Sequence, residues 1–219
     1  IKESGNLTSA LYAACGRSFT ESGKHLLNAP FAQFVKLTAE GHYTRVFSPR
    51  LQLATRAFAG VAYAFGNSTR APYGEQLYVG GANSIRAFSV RTVGPGGYYA
   101  PHSKYAYIDQ TGDFKLEANA ELRMRLFGSL NGAVFLDAGN VWLIRPDAQR
   151  PKSVLSLSNL RRIAVGTGMG LRYDIGFIVL RLDMGVGLHA PYPTRRSGFY
   201  NMNNFSESLA FHFAIGYPF

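Results

Sequence analysis

Apolar and polar residues alternate with a period of two along most of this chain. The clearest stretch is 114–126, where Phe114, Leu116, Ala118, Ala120, Leu122, Met124 and Leu126 interleave with Lys115, Glu117, Asn119, Glu121, Arg123 and Arg125. Successive side chains of a strand point to opposite sides, so this pattern predicts a strand with one apolar and one ionic face. Residues 178–189 repeat it, with Ile178, Leu180, Leu182, Met184, Val186 and Leu188 opposite Val179, Arg181, Asp183, Gly185, Gly187 and His189. Residues 164–175 set Val165, Thr167, Met169, Leu171, Tyr173 and Ile175 against Ala164, Gly166, Gly168, Gly170, Arg172 and Asp174. Stretches 33–45 and 51–65 follow less cleanly, with Lys36, Glu40, His42 and Arg56 on the polar side, and Phe211, Phe213, Ile215, Tyr217 and Phe219 alternate to the last residue. The pattern predicts eight strands in antiparallel meander order, near 2–13, 31–47, 50–65, 113–127, 130–144, 162–175, 177–190 and 207–219.

The connections are of two kinds that take turns along the chain. Short ones fall at Ser48-Pro49-Arg50, Gly128-Ser129 and Ile175-Gly176, and long ones at 15–30, 66–113, 144–162 and 190–206. Long strands with strongly charged polar faces, joined alternately by tight turns and long loops, predict an antiparallel transmembrane β-barrel and not a soluble sandwich. The whole of 1–219 reads as one such region.

Composition changes the picture little. Gly 24, Tyr 13 and Phe 16 beside 16% charged residues suit an all-β protein whose outer face meets something apolar. A mean hydropathy of −0.05 is too polar for a helical membrane protein, but a membrane strand averages its lipid-facing and lumen-facing residues. No apolar run is long enough for a transmembrane helix. The formal net charge of +10 raises nucleic acid as a partner, yet the basic residues are scattered over alternate strand positions and form no stripe, so none is expected. Cys15 stands alone and cannot form an internal disulfide. A start at Ile1, with neither Met nor a signal-peptide pattern, reads as a processed product or a fragment.

The connection at 66–113 is too long for an idle loop, and it is rich in glycine and aromatics, which points to a packed segment. It contains Gly80-Gly81-Ala82-Asn83-Ser84-Ile85-Arg86-Ala87-Phe88 and then Val93-Gly94-Pro95-Gly96. These runs resemble the long-loop motif of the outer-membrane protein assembly-factor superfamily, the BamA/TamA-like barrels and two-partner-secretion transporters. The family pattern has Arg-Gly-Phe where this chain has Arg86-Ala87-Phe88. Phe135-Leu136-Asp137-Ala138-Gly139 resembles the family's Phe-x-Asp-x-Gly strand, and the aromatic alternation ending at Phe219 resembles the terminal signal by which outer-membrane proteins are recognised for assembly. The Glu3-Ser4-Gly5-Asn6-Leu7 start, the Ile108–Asp113 stretch and the Gly216-Tyr217-Pro218-Phe219 ending are most similar to TamL or BamA-like proteins of Bacteroidota.

The resemblance implies that the loop folds into the lumen, where Arg86 pairs with Asp137 and with Glu121 on the preceding strand. Alternation independently places Glu121 on a polar face, and a buried guanidinium requires carboxylates in a fork geometry that lysine cannot match. Gly166, Gly168 and Gly170 would let the loop backbone come close to the wall. Family barrels carry about sixteen strands, so eight would be a C-terminal half. The function implied is insertion, assembly or translocation of outer-membrane client proteins through a seam between the first and last strands. The partners implied are membrane lipid and periplasmic or lipoprotein accessory subunits.

Two other functions compete, a two-partner-secretion type transporter and a passive pore, and eight strands can also close into a small filled barrel. Catalysis is not expected. His42 with Glu40 and His189 with Asp183 share polar faces but lack a Ser in a nucleophile-elbow context. His25, His102 and His212 show no metal-ligand spacing, and the glycine runs lack the Lys-Ser/Thr of a phosphate loop, so neither metal nor cofactor is expected.

Overall fold

A computed structural model describes residues 2–100 and 110–219. Eight strands form one antiparallel sheet: β1 (Lys2–Ser4), β4 (Phe34–Ser48), β5 (Leu51–Ala64), β6 (Phe114–Phe127), β7 (Leu130–Trp142), β8 (Ala164–Asp174), β9 (Val179–His189) and β10 (Leu209–Ile215), each bonded to its neighbours in that order. Two short strands, β2 (His25–Leu26) and β3 (Ala29–Pro30), make a separate hairpin turned by Leu27 and Asn28, both at positive φ. The sheet is open, with β1 and β10 at its edges.

The first strand departs from the sequence expectation. Only Lys2–Ser4 pair with β4, and Asn6–Ala14 form a helix, α1. Gly5 at φ 71 turns the chain out of the sheet, and a side chain there would meet the Ala32 carbonyl. Leu7, Ala10, Leu11 and Ala14 recur at helical spacing among good helix formers, a signal that competes with alternation over so short a stretch. The last strand is shorter too. It follows a single helical turn, α2 (Phe205–Ser208), and stops at Ile215, because Gly216 takes φ 86. Of the Ile108–Asp113 stretch, Ile108 and Asp109 lie outside the described residues, as does His102.

Cross-strand partners share a face, so register assigns the two sides of the wall. Glu121 pairs with Phe135, Phe135 with Gly168 and Gly168 with Gly185, which puts the ionic side of β6 on the same side as Asp137, the β8 glycines and Asp183. That inner side buries its charges: Arg86, Glu121, Asp137, Arg172, Arg181 and Asp183 are each 0% exposed. The outer side carries the apolar residues, left open: Leu136, Met169, Leu171, Leu182, Phe211 and Phe213 are all large and exposed. Charge inside and apolar surface outside invert the order of a soluble protein, as a lipid-facing barrel wall requires. No helix among the described residues is long and apolar enough to cross a membrane.

The long loops gather at one end. There Val79, Ile85, Phe88 and Val93 from the 66–113 connection pack with Val141, Ala164, Ala190 and Met202 into the main apolar core. Trp142, fully buried, donates its indole N–H to the Asn159 carbonyl at 2.9 Å, tying the 144–162 loop to β7. Within that loop Arg150 Nε donates to Asp147 Oδ2 at 2.8 Å, and Arg70 reaches the same carboxylate from a neighbouring loop. The Arg150 bond holds the Asp147 carboxyl below its ordinary range.

Two outcomes follow from this arrangement. Leu136→Arg, on the outer face at mid-strand, should destabilise the barrel folded into lipid vesicles by about 2–4 kcal/mol, read by urea titration, whereas a watery outer face would leave stability almost unchanged. For Asp147 the depressed carboxyl stabilises the loop above the ordinary aspartate range and loses that effect as pH falls through its folded pKa. An Arg150→Gln variant should therefore move the Asp147 titration, followed by NMR, upward toward the value of a free aspartate, and an unmoved titration would remove Arg150 as the cause.

Candidate functional site

The 66–113 connection folds back against the inner face. Gly80 and Gly81, at φ 97 and 96, turn the chain, and Gly81 N–H donates to the Phe88 carbonyl at 2.8 Å while Arg91 N–H donates to Val79 at 3.0 Å. A side chain at Gly80 would strike the Ser89 carbonyl. These contacts close a narrow hairpin whose tip, Ala82 to Arg86, points into the wall. Ser84 Oγ accepts from Gly80 N–H at 3.0 Å and donates to Glu117 Oε2 at 2.9 Å.

Arg86 is the centre of the site. Its Nε and Nη2 donate to the two oxygens of Asp137 at 2.8 and 2.9 Å, and its backbone N–H adds a third bond to Asp137 at 3.0 Å. Nη1 donates to Glu121. The guanidinium lies over the ring of Phe135, 3.6 Å from its centroid. One cation thus meets a bidentate carboxylate, a second carboxylate and an aromatic face, all excluded from solvent.

The carboxylates are themselves shared. Glu121 also accepts from Arg123 Nε at 2.8 Å and from Arg172 Nη2 at 3.0 Å, and Asp137 accepts from Asn119 Nδ2 at 2.9 Å. Arg172 bridges onward to Asp183 at 2.6 Å, and Arg181 lies 3.2 Å from the other oxygen of Asp183. Arg181 Nη2 then returns to the loop tip, donating to the Ala82 carbonyl at 2.9 Å and to Asn83 Oδ1 at 2.6 Å. Arg56 on β5 donates to the Asn83 carbonyl at 3.1 Å and to Glu117 at 2.9 Å, and His212 Nε2 on β10 lies 2.8 Å from the Arg86 carbonyl. Every strand from β5 to β7, and β9 and β10 besides, holds the tip by a side-chain bond.

β8 contributes closeness. A Cβ built on Gly166 would overlap the Ala87 methyl, and one on Gly185 of β9 would overlap the Arg86 carbonyl. The absence of those side chains lets the loop backbone lie on the wall, and Ala87 is accommodated because Gly166 faces it. Gly139 is needed for a different contact, since a Cβ there would come within 2.6 Å of the Leu116 carbonyl on β6. Further along the loop, Gly94 (φ 79) and Pro95, joined by a cis peptide, sit at the top of β7. Gly96 N–H donates to Val141 at 2.6 Å and Asn140 Nδ2 donates to the Gly96 carbonyl at 2.9 Å. Ile85 and Phe88 anchor the hairpin in the apolar core.

Among the sequence candidates, the structure brings together Arg86, Glu121, Asp137 and Phe135, with Gly80, Gly81, Ser84, Ile85 and Phe88 shaping the tip, and it places Gly94, Pro95 and Gly139 nearby. Phe211, Phe213 and Ile215 lie on the outer face of β10, whereas Tyr217 and Phe219 turn inward past Gly216, and Arg123 lies 4.5 Å from the Tyr217 ring centroid. Arg172, Arg181, Asp183, Glu117 and Arg56 belong to the site although no motif marks them. Their signal in the sequence is a place on polar faces, which assigns a side but no partner. Of the histidines, His42 is 3.3 Å from Glu40, which also pairs with Arg56, and His189 contacts the Phe199 carbonyl while Asp183 is taken by arginines.

Comparison with known proteins bears on the family and the fold. Residues 21–219 match the Omp85 superfamily domain. The chain belongs to the Omp85 superfamily. It is 32% identical over 88 residues to the outer membrane protein assembly factor BamA of Neisseria meningitidis serogroup B, a match that covers 38% of this chain and 11% of that protein. In structure it resembles BamA from Haemophilus ducreyi lacking POTRA domains 1-3, with a TM-score of 0.57 and 15% identity, over 84% of this chain and 35% of the other. The chain therefore spans well under half the length of either relative, and its sheet has the fold of part of an Omp85 barrel.

Replacing Arg86 by Ala leaves Asp137 and Glu121 short of a partner in a dry site, and should weaken loop docking by about 3–5 kcal/mol. Arg86→Lys keeps the charge, loses the fork and should fall between. Trypsin cleavage after Arg91 in the folded barrel reads this directly. Wild-type resistance in the Ala variant would show that Arg181 and Arg56 hold the tip without Arg86.

Proposed function

We propose that this chain forms part of an outer-membrane barrel that inserts, assembles or translocates other outer-membrane proteins, acting by strand pairing at a seam and not by catalysis. The observation that carries the reading is the Arg86 hairpin, bonded to Asp137 and Glu121 inside a barrel wall of the Omp85 superfamily. A loop held by so many charged contacts braces the wall from within, and it fills space that a passive pore would leave to water. The matched relative from Neisseria is named as an outer membrane protein assembly factor, which supports the same assignment.

In this reading the edge of β10 that faces away from β9 is the pairing surface. Edge strands present unsatisfied N–H and C=O groups that template another strand, and a client outer-membrane protein supplies one. Membrane lipid surrounds the Leu136, Leu182 and Phe213 face, and periplasmic or lipoprotein subunits serve as accessory partners. The setting is the outer membrane of a Gram-negative bacterium, and the Gly216-Tyr217-Pro218-Phe219 ending supports a Bacteroidota-type member.

The test places a photo-crosslinking residue at Phe213 on β10 and, separately, at Leu136 in the middle of the wall of the full-length protein. During client assembly Phe213 should capture client protein and Leu136 should not. Equal capture at both positions, or none at Phe213 while clients still fold, would refute pairing at this edge. An Arg86→Ala variant should slow client folding in reconstituted vesicles without abolishing insertion of the barrel itself.

A further inference from the structure

The inner face changes character between its loop end and its short-turn end. Toward the loops the cations meet carboxylates: Arg86 meets Asp137 and Glu121, and Arg56 and Lys115 meet Glu117. Toward the turns the register sets Arg125 opposite Asn131, Asn131 opposite Arg172 and Arg172 opposite Arg181, a row of three cations without an acid. Like charges directly opposite one another destabilise a sheet, so such a row needs counter-charge from elsewhere. Arg172 and Arg181 find it in Asp183, and Arg123 and Arg172 find it in Glu121, which also serves Arg86. Arg125 and Arg50 find none. Neither makes an ion pair among the described residues, and Arg125 Nη2 donates to the Gly128 carbonyl at 3.4 Å. Asp174, nearer the turn, accepts from the Gly176 N–H at 2.8 Å.

A cavity of about 160 Å³ lies where these charges gather. Arg50, Arg123, Arg125 and Arg172 line it with Gln52 and Asn131, and among the described residues no carboxylate does. The Arg50 carbonyl accepts from the Arg125 N–H at 2.9 Å, which fixes the turn bearing one arginine to the strand bearing the other. Arg172 is fully buried, and its Nε, shut off from solvent, has no hydrogen-bond partner. We propose that this cavity is a phosphate site, filled by the phosphate group of an anionic lipid headgroup or of a small phosphorylated compound. Guanidinium groups bind phosphate oxygens through paired N–H donors, a geometry that several arginines around one small space supply and lysines do not. The cavity sits beside the 48–50 turn, at the end of a wall whose outer side faces lipid, which brings it to the level of the headgroups. A bound phosphate gives Arg50 and Arg125 the counter-charge they lack and leaves Glu121 to Arg86. Occupancy therefore steadies β5 to β8 at the turn end, independently of any pairing at β10.

Titration calorimetry of the full-length protein in phosphate-free maltoside micelles, at constant ionic strength and with inorganic phosphate as the probe, tests the site. The parent should bind saturably. Arg50→Gln and Arg125→Gln should each weaken binding about tenfold, the size of one charge-assisted hydrogen bond. Arg161→Gln removes the same charge from an exposed position on the loop at the opposite end, and should leave the affinity unchanged. Barrel folding is checked in each variant by heat-modifiable gel migration. Repeating the titration in micelles that carry phosphatidylglycerol identifies the source of the phosphate. Loss of phosphate binding there assigns the site to a lipid headgroup, and undiminished binding assigns it to a free phosphate compound; both uphold the site. A parent that binds no phosphate, as when an acidic protein segment fills the cavity, would overturn the proposal. So would Arg50→Gln and Arg125→Gln variants that bind as tightly as Arg161→Gln.

Discussion

The interior of this wall holds charges that exist only because they meet one another. Arg86, Arg172 and Arg181 face Glu121, Asp137 and Asp183 with no solvent access, three cations against three anions. Moving any one of these groups from water into such a place costs several kcal/mol, and only a complementary charge at hydrogen-bond distance offsets it. The network therefore behaves as a unit. Glu121 joins the loop through Arg86, its own strand through Arg123 and β8 through Arg172, while Asp183 carries the connection to β9. Removing one member strands its partners, so the position of the loop and the register of the strands beneath it constrain each other.

Space is the second condition. The loop backbone reaches the wall only where Gly166 and Gly185 leave room, and β7 lies close to β6 because Gly139 has no side chain. Ala87 shows how the two conditions interact: its methyl occupies the space above Gly166, so the departure from the family's Arg-Gly-Phe pattern leaves the guanidinium seated. The result is a wall braced from inside.

Much of the site was legible in the sequence, for two separate reasons. Alternation assigned the side chains of β6, β8 and β9, and less cleanly those of β4 and β5, to a face, because that assignment needs only the local geometry of an extended chain. The Arg86, Glu121 and Asp137 trio followed from motif residues that the family resemblance brought together. Arg172, Arg181 and Asp183 were placed on the polar face and left without partners. Which charges meet depends on register between strands, and register is set by turns and loops far from the residues themselves. Gln52, Arg123 and Tyr217, separated widely along the chain, share one cavity for the same reason.

The two ends of the sheet mark the limit of local reading. At Asn6–Ala14 helical spacing prevailed over alternation, since Gly5 turned the chain away from β4. At Gly216 a left-handed turn ended a strand whose apolar pattern ran on to Phe219. By itself the sequence determined the strand faces, the alternation of short and long connections and the loop that carries Arg86. Only the tertiary structure decided which charges pair, how near the loop lies to the wall and where the last strand stops. The first set depends on period-two geometry within a segment, and the second on distances between segments that are remote along the chain.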